Sequence, residues 1–199
     1  SDNLETEQDK KSLISRELSQ PIKDWLQILL NKIQASRWKE IQMEKIAVFV
    51  DVQNIYYTTR FWYKRNFDYN KFWSQITKKR LVVSAFAYAI NKGDKKQIHF
   101  QNILKTIGFQ VKLKPYVVRS DGSSKGDWDV GITIDILKYA KIVDKVILAS
   151  GDGDFDLLLK EIKTEYGTDS EVFGVESLTS GSLIKESTKF TKIDKSLLL

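Results

Sequence analysis

The protein has 199 residues and a mass of 23.0 kDa, and 42% of its residues are hydrophobic, so it can bury one sizeable core. It contains no cysteine and a single histidine, which excludes disulfides, thiolate metal sites and catalysis by several histidines. Its longest apolar runs fall well short of the roughly 20 residues that cross a bilayer. We therefore predict a soluble, cytoplasmic protein that does not enter a membrane.

The net charge of +6 is distributed unevenly along the chain. Residues 1–44 contain seven basic and eight acidic side chains, whereas the remainder contains twenty-five and eighteen, which gives net charges of −1 and +7. A basic body favours a polyanionic partner, although an excess of this size is also explained by solubility alone.

The N-terminal segment contains apolar residues at helical spacing and predicts one amphipathic helix over about 21–41. Because the chain begins with Ser1 and its only methionine is Met43, we expect a shortened or processed N-terminus and seek function after residue 43. We therefore predict an N-terminal helical extension over 1–43 and a main domain over 44–199. The apolar stripe either packs on the main domain, which is the commoner case, or binds a protein partner or a second copy of the chain.

From residue 46 onward, short apolar or β-branched runs alternate with longer segments of helical periodicity. Strands are predicted over 46–50, 81–90, 111–118, 146–149 and 171–175, and helices over about 54–65, 69–79, 95–107, 127–141 and 154–166. This alternation predicts an α/β fold, a doubly wound, Rossmann-like parallel sheet of five strands with helices on both faces. The ligand crevice of such a sheet lies outside the carboxyl ends of its strands, where the strand order reverses.

Carboxylates directly follow two of the predicted strands. Asp51 ends the first strand, and Asp152 and Asp154 follow the fourth. In a sheet of order 3-2-1-4-5 these two strands are neighbours, so we expect Asp51 and Asp152 to lie side by side. Asp129, together with Asp127, starts the helix before the fourth strand and is expected to face the same crevice.

Clustered carboxylates raise one another's pKa unless a cation neutralises them, so the cluster predicts a bound Mg²⁺ or Mn²⁺. Such a site activates water for attack on a phosphate without a histidine. The competing interpretation of Asp127, Asp129 or Asp154 alone is a helix N-cap, but convergence from three parts of the chain favours function. For Asp135 and Asp156, a structural role or simple exposure to solvent is at least as expected as metal binding.

Other ligand-binding motifs fail at particular positions. The acidic residues after the fourth strand imitate a calcium loop, but Leu157 and Lys163 stand where glycine and glutamate are required. No Walker sequence is present, and a Ser-His-Asp triad would depend on His99 in a predicted helix. Gln53 occupies the position of the second aspartate of a haloacid-dehalogenase-like phosphatase.

Three motifs at the predicted crevice are similar to those of one known family. They are Ala-Val-Phe-Val-Asp-Val-Gln-Asn at 47–54, Lys-Gly-Asp-Trp-Asp-Val-Gly at 125–131, and Ser-Gly-Asp-Gly-Asp-Phe at 150–155. Over about 44–194 the chain resembles the NYN domains, PIN-like metal-dependent ribonucleases, in their LabA-like branch. The resemblance implies the PIN-like sheet order 3-2-1-4-5 and a supporting role for Asn54. It also implies metal-binding or catalytic roles for four residues: Asp51, Asp129, Asp152 and Asp154.

Rings and cations interleave over residues 56–73. Rings stack on bases and cations bind phosphates, which is how single strands are bound without sequence preference. The competing interpretation is that most of these rings are buried in the core. Arg119 and Lys125, which flank a polar loop beside the acidic helix start, are the better candidates for phosphate binding.

These observations predict a Mg²⁺- or Mn²⁺-dependent endoribonuclease that hydrolyses phosphodiester bonds of single-stranded RNA through its carboxylate cluster. Two alternatives stay open. One is a non-catalytic RNA-binding or scaffolding module, and the other is a phosphatase or nucleotidase acting on small phosphoesters.

Overall fold

The computed structural model describes residues 18–41, 43–91, 93–115, 117–118, 124–125 and 127–199. The chain divides into two units, the first ending at Met43 and the second comprising Glu44–Leu199, and each is described by itself. The first unit contains helix α1 (Gln20–Ile41), as its periodicity predicts. What its apolar stripe contacts stays a prediction.

The second unit alternates strands and helices. Its strands are β1 (Glu44–Asp51), β2 (Arg80–Asn91), β3 (Gln110–Pro115), β4 (Val117–Val118), β5 (Ser124–Lys125), β6 (Lys145–Ala149), β7 (Asp169–Gly174) and β8 (Lys189–Lys192). Its helices are α2 (Val52–Tyr63), α3 (Tyr69–Thr77), α4 (Lys95–Ile107), α5 (Asp129–Ala140), α6 (Asp156–Tyr166) and α7 (Gly181–Glu186). Among the residues described, no helix is long and apolar enough to cross a membrane.

Six of the strands form one parallel sheet in the order β3-β2-β1-β6-β7-β8. The predicted α/β fold and the order 3-2-1-4-5 are therefore confirmed, but the predicted number of five strands is wrong because β8 adds a sixth. This strand has four residues with lysine at both ends, and short, charged strands protect a sheet edge. It lacks the apolar run by which the other strands are recognised.

The predicted third strand also differs from the structure. It ends at Pro115, because proline has no N–H group to donate to a neighbouring strand. Residues 117–118 pair instead with 124–125 in a separate antiparallel ribbon.

Strand β1 is buried on both faces of the sheet. Val48 and Val50 pack in the core beneath α2, α3 and α4, whereas Ala47 and Phe49 pack against α5 and α6. All four side chains have no exposed surface. This burial on both faces is typical of a central parallel strand, and it fixes where the strand's carboxyl end emerges.

Ion pairs join the strands at the opposite, amino-terminal edge. Glu44 of β1 pairs with Arg80 of β2 at 2.6 Å and with Lys145 of β6 at 2.5 Å. Glu171 of β7 pairs with Arg80 at 3.2 Å and with Lys189 of β8 at 2.8 Å. Glu44 and Glu171 are therefore neutralised by the protein's own cations.

Candidate active site

An open crevice of about 380 Å³ lies outside the carboxyl ends of β1 and β6, the two neighbouring strands at which the strand order reverses. Its lining consists of Asp51, Gln53, Asn54, Tyr57, Thr58, Ile90, Asp127, Trp128, Asp129 and Asp152. Four of these ten residues are aspartates, so the crevice is strongly acidic.

The register of the sheet brings the ends of β1 and β6 together. Val50 of β1 pairs with Ala149 of β6, so Asp51 and Asp152 follow from neighbouring strand ends. The two carboxylates lie close enough that the charge of Asp152 raises the pKa of Asp51. The expectation that both face one crevice agrees with this geometry.

Three carboxylates form the tightest group. One oxygen from each of Asp129, Asp152 and Asp154 lies within 4.8 Å of the other two. Asp129 lies in the first turn of α5, and the other two lie in the turn between β6 and α6. The N-cap of α5 is Trp128 and that of α6 is Phe155, so the capping interpretation of Asp129 and Asp154 is wrong.

Asp51 is partly buried and is held by two neighbours. Asp51 is the N-cap of α2, and its Oδ1 accepts a hydrogen bond of 3.1 Å from the N–H of Asn54. Its Oδ2 accepts a longer hydrogen bond of 3.5 Å from the Ser150 hydroxyl. Burial raises the pKa of Asp51 to about 6, opposed by the Asn54 N–H and reinforced by the charges of Asp129 and Asp152. The pKa of this carboxyl therefore lies closer to neutral pH than that of an aspartate in an open chain.

Asp129 is perturbed in the same direction. Burial raises its pKa to about 6, and the negative charges of Asp152, Asp127 and Asp154 add to the rise. The positive charge of Lys114 opposes them. Burial and the neighbouring carboxylates together therefore disfavour the charged form of Asp129 more than Lys114 favours it.

Two uncharged side chains hold the turn that contains Asp152. Asn54 accepts a hydrogen bond of 2.9 Å from the N–H of Gly151, which links α2 to the turn after β6. Ser150 is fully buried, and its hydroxyl oxygen accepts the N–H of Asp152 at 3.2 Å. Sequence reasoning missed Ser150, although its position between a buried strand and Asp152 was the available signal.

The other residues considered in the sequence lie in different surroundings. Asp127 is exposed on the crevice wall, and its carbonyl oxygen accepts a hydrogen bond of 2.9 Å from Lys114. Asp135 lies further along α5 and is bound by the Tyr88 hydroxyl at 2.7 Å, which is a structural role. Arg119 and the side chain of Lys125 lie outside the described residues, so their assignment stays a prediction.

Lys114 and Trp128 were not predicted as site residues. The ammonium of Lys114, at the end of β3, lies 4.4 Å from the centre of the Trp128 ring. Trp128 is itself fixed, since its Nε1 donates a hydrogen bond of 2.9 Å to the carbonyl of Ala89. A cation therefore lies against the rigid ring that lines one wall of the crevice.

The donor set of the crevice fits a hard divalent cation. The charged residues that line it are all aspartates, whose carboxylates Mg²⁺ and Mn²⁺ prefer, and one oxygen from each of Asp129, Asp152 and Asp154 already lies within 4.8 Å of the other two. Burial raises the pKa of Asp51 and Asp129 most, and a cation there would neutralise the smaller contribution from the neighbouring carboxylates.

The parallel sheet with carboxylates at its switch point agrees with a PIN-like α/β fold. The family model of the NYN domain matches residues 45–194, and the chain belongs to that family, as its motifs predict. The chain is 25% identical over 131 residues to the low amplitude and bright protein LabA of Synechococcus elongatus, which is 61% of this chain and 69% of LabA. It is also similar to a crystal structure of a protein of unknown function from Vibrio parahaemolyticus, with 55% identity and a TM-score of 0.76. That match covers 79% of this chain and 97% of the other.

Proposed function

We propose that residues 44–199 form a Mg²⁺- or Mn²⁺-dependent endoribonuclease that cleaves single-stranded RNA, preceded by an N-terminal extension over 1–43. The observation on which the proposal rests is the convergence of three carboxylates within 4.8 Å at the switch point of the sheet. Membership of the NYN family supports it, since the fold is nuclease-like.

Asp129, Asp152 and Asp154 would hold the ion, and Asp51 would complete the site. When bound, Mg²⁺ or Mn²⁺ supplies Lewis acidity toward phosphate oxygens and a water more acidic than bulk water. This chemistry suits a protein with one histidine, because an ion replaces imidazole as the means of activating water.

The chain's own residues have separate tasks in this proposal. Asp51 would contribute a further carboxylate to the ion, held in place by the Asn54 N–H at 3.1 Å. Asn54 keeps the turn before Asp152 in place through the Gly151 N–H. Lys114, at the acidic wall, would pair with a phosphate oxygen. Hydrolysis would leave a 3′ hydroxyl and a 5′ phosphate.

The test is a cleavage assay with end-labelled single-stranded RNA in Mg²⁺, in Mn²⁺ and in a chelator. Asp152→Asn should lower the rate by more than about 100-fold. Changing a group that only supports a metal ligand costs up to about 100-fold, so the loss of a ligand itself should cost more. Asp144→Asn is the matched control, since Asp144 precedes β6 at its other end and accepts the Lys45 N–H at 2.7 Å. It should retain full activity.

Three results would contradict the proposal. The first is cleavage by Asp152→Asn at the wild-type rate. The second is tight RNA binding without turnover in either ion, which would favour a non-catalytic RNA-binding module. The third is hydrolysis of p-nitrophenyl phosphate without cleavage of any oligonucleotide, which would favour a phosphatase.

A further inference from the structure

Helix α2 exposes four aromatic rings to solvent. The exposed fractions are 52% for Tyr56, 53% for Tyr57, 66% for Phe61 and 51% for Trp62. The interpretation that the rings of this region are buried holds for α3, where Phe72 has no exposed surface, but it is wrong for these four. Four large rings exposed together on one helix are typical of an interaction surface.

The exposed rings continue directly from the crevice. Asn54 and Tyr57 both line the crevice, and Phe61 lies one helical turn beyond Tyr57 on the same face. Four residues of α-helix advance about 6 Å, so successive rings lie about one turn apart along a line that leads away from the carboxylates.

Positive charge accompanies the rings at the far end of α2. The Lys64 ammonium lies 5.3 Å from the centre of the Phe61 ring, and Arg60 donates a hydrogen bond of 3.2 Å to the Lys64 carbonyl. Every residue of α2 is described, and its exposed side chains are aromatic, basic or amide, with no aliphatic side chain among them. Across the crevice, Trp128 and Lys114 repeat the combination of a ring and a cation.

A partner that fits this surface must present flat apolar groups and negative charge in alternation. Single-stranded nucleic acid has this chemistry, because its bases stack on rings and its phosphates pair with cations. The positive excess of the body, +7 over residues 45–199, also favours a polyanion.

We propose that the exposed face of α2 is a stacking surface over which single-stranded nucleic acid runs into the crevice. Bases stack on Tyr57 and Phe61, and the backbone passes near Arg60 and Lys64. The inference rests on the proposed function only in taking the crevice as the place where the strand is cleaved.

The experiment measures fluorescence anisotropy of labelled single-stranded RNA of about 12 nucleotides, within the range of such binding sites, with the whole chain in a chelator. Replacing a stacking ring with alanine should weaken binding about tenfold, so we expect this loss for Tyr57→Ala and for Phe61→Ala. Phe61→Tyr, which keeps the ring, should bind like the wild type, and Phe61→Leu should bind like the alanine variant. Tyr166→Ala is the matched control, because Tyr166 is 42% exposed at the C-terminal end of α6.

A strand whose bases are replaced by abasic sites separates stacking from charge. The wild type and Phe61→Ala should bind this strand equally, because it offers phosphates but no bases. In the cleavage assay Phe61→Ala should raise KM about tenfold and leave kcat unchanged, since it removes binding shared by the ground and transition states.

The outcomes distinguish this inference from the proposed function. If Phe61→Ala weakens RNA binding but no variant or wild type cleaves RNA, the stacking surface stands and the catalytic assignment fails. If the wild type cleaves RNA and Phe61→Ala changes neither affinity nor KM, the stacking surface is refuted. A change in oligomeric state of Phe61→Ala with unaltered RNA affinity would also refute it, in favour of a protein interface.

Discussion

Replacing Asp51 with asparagine should stabilise the metal-free protein at neutral and alkaline pH. The carboxyl has a pKa of 3.8 in an open chain and about 6 in the fold, because burial and its acidic neighbours disfavour the charge. A rise of about two units at about 1.4 kcal/mol each gives at most about 3 kcal/mol of destabilisation by the ionised group. Asparagine removes the charge and keeps an oxygen to accept the Asn54 N–H at the start of α2.

The sign of the pH dependence follows from proton binding. Between about pH 4 and pH 6 the folded protein holds the Asp51 proton more tightly than the unfolded chain does. The free energy of unfolding of the wild type therefore falls as pH rises through this window, and Asp51→Asn avoids that loss. The advantage of the variant should be full above pH 6 and absent below about pH 4, where both proteins are uncharged at this position.

Thermal denaturation followed by circular dichroism in a chelator at pH 8 and pH 4 tests this reasoning. For a domain of this size, about 3 kcal/mol corresponds to a rise in Tm of about 6–12 °C at pH 8, with little difference at pH 4. Asp144→Asn, at the other end of β6, should change Tm little at either pH. A lower Tm of Asp51→Asn at pH 8, or an equal gain at both pH values, would refute the reasoning. Added Mn²⁺ should raise the Tm of the wild type more than that of Asp51→Asn, which keeps the three converging carboxylates but loses the fourth.

Three further variants test other parts of the molecule. Burial raises the pKa of Glu171, but hydrogen bonds from Lys189 and Thr191 outweigh it and hold the pKa below the usual range. Glu171→Gln should therefore lower the free energy of unfolding by about 2 kcal/mol at pH 7, because it breaks charged hydrogen bonds, and by progressively less in acid, as urea denaturation would measure. Asn54→Ala should lower metal-dependent cleavage about 10- to 100-fold and the free energy of unfolding by about 1 kcal/mol, because the Gly151 N–H loses its acceptor. A fall in cleavage no larger than the fall in the amount of folded protein would contradict a positioning role. Gly151→Ala should lower Tm and activity because its Cβ would lie 2.8 Å from the Leu178 carbonyl oxygen, whereas Gly181→Ala, with nothing within 4 Å, should change neither.

The sheet could be predicted from the sequence because its central strands are buried on both faces. Residues 46–50 are all without exposed surface, so they form an unbroken apolar run followed at once by Asp51. Strand β8 could not be predicted this way, since an edge strand needs no apolar run and the charged residues that protect it resemble a loop.

The carboxylates of the site could be predicted because each one adjoins a strand or helix end. The groups that support them could not. Ser150 lies near Asp51 only because β1 and β6 pair in a particular register, and Lys114 belongs to β3, two positions away from β1 in the sheet. Neither contact is marked by a fixed spacing of residues along the chain. The rings of α2 could not be assigned either, because helical periodicity does not tell whether a face meets the core or a crevice.

Crystals soaked in Mn²⁺ and measured at a wavelength where manganese scatters anomalously test the central claim most directly. The account predicts an anomalous peak in contact with carboxylate oxygens of Asp129 and Asp152, and no peak there in crystals of Asp152→Asn. A wild-type crystal that shows no manganese in the crevice at saturating concentration, or shows it only elsewhere, would contradict the account.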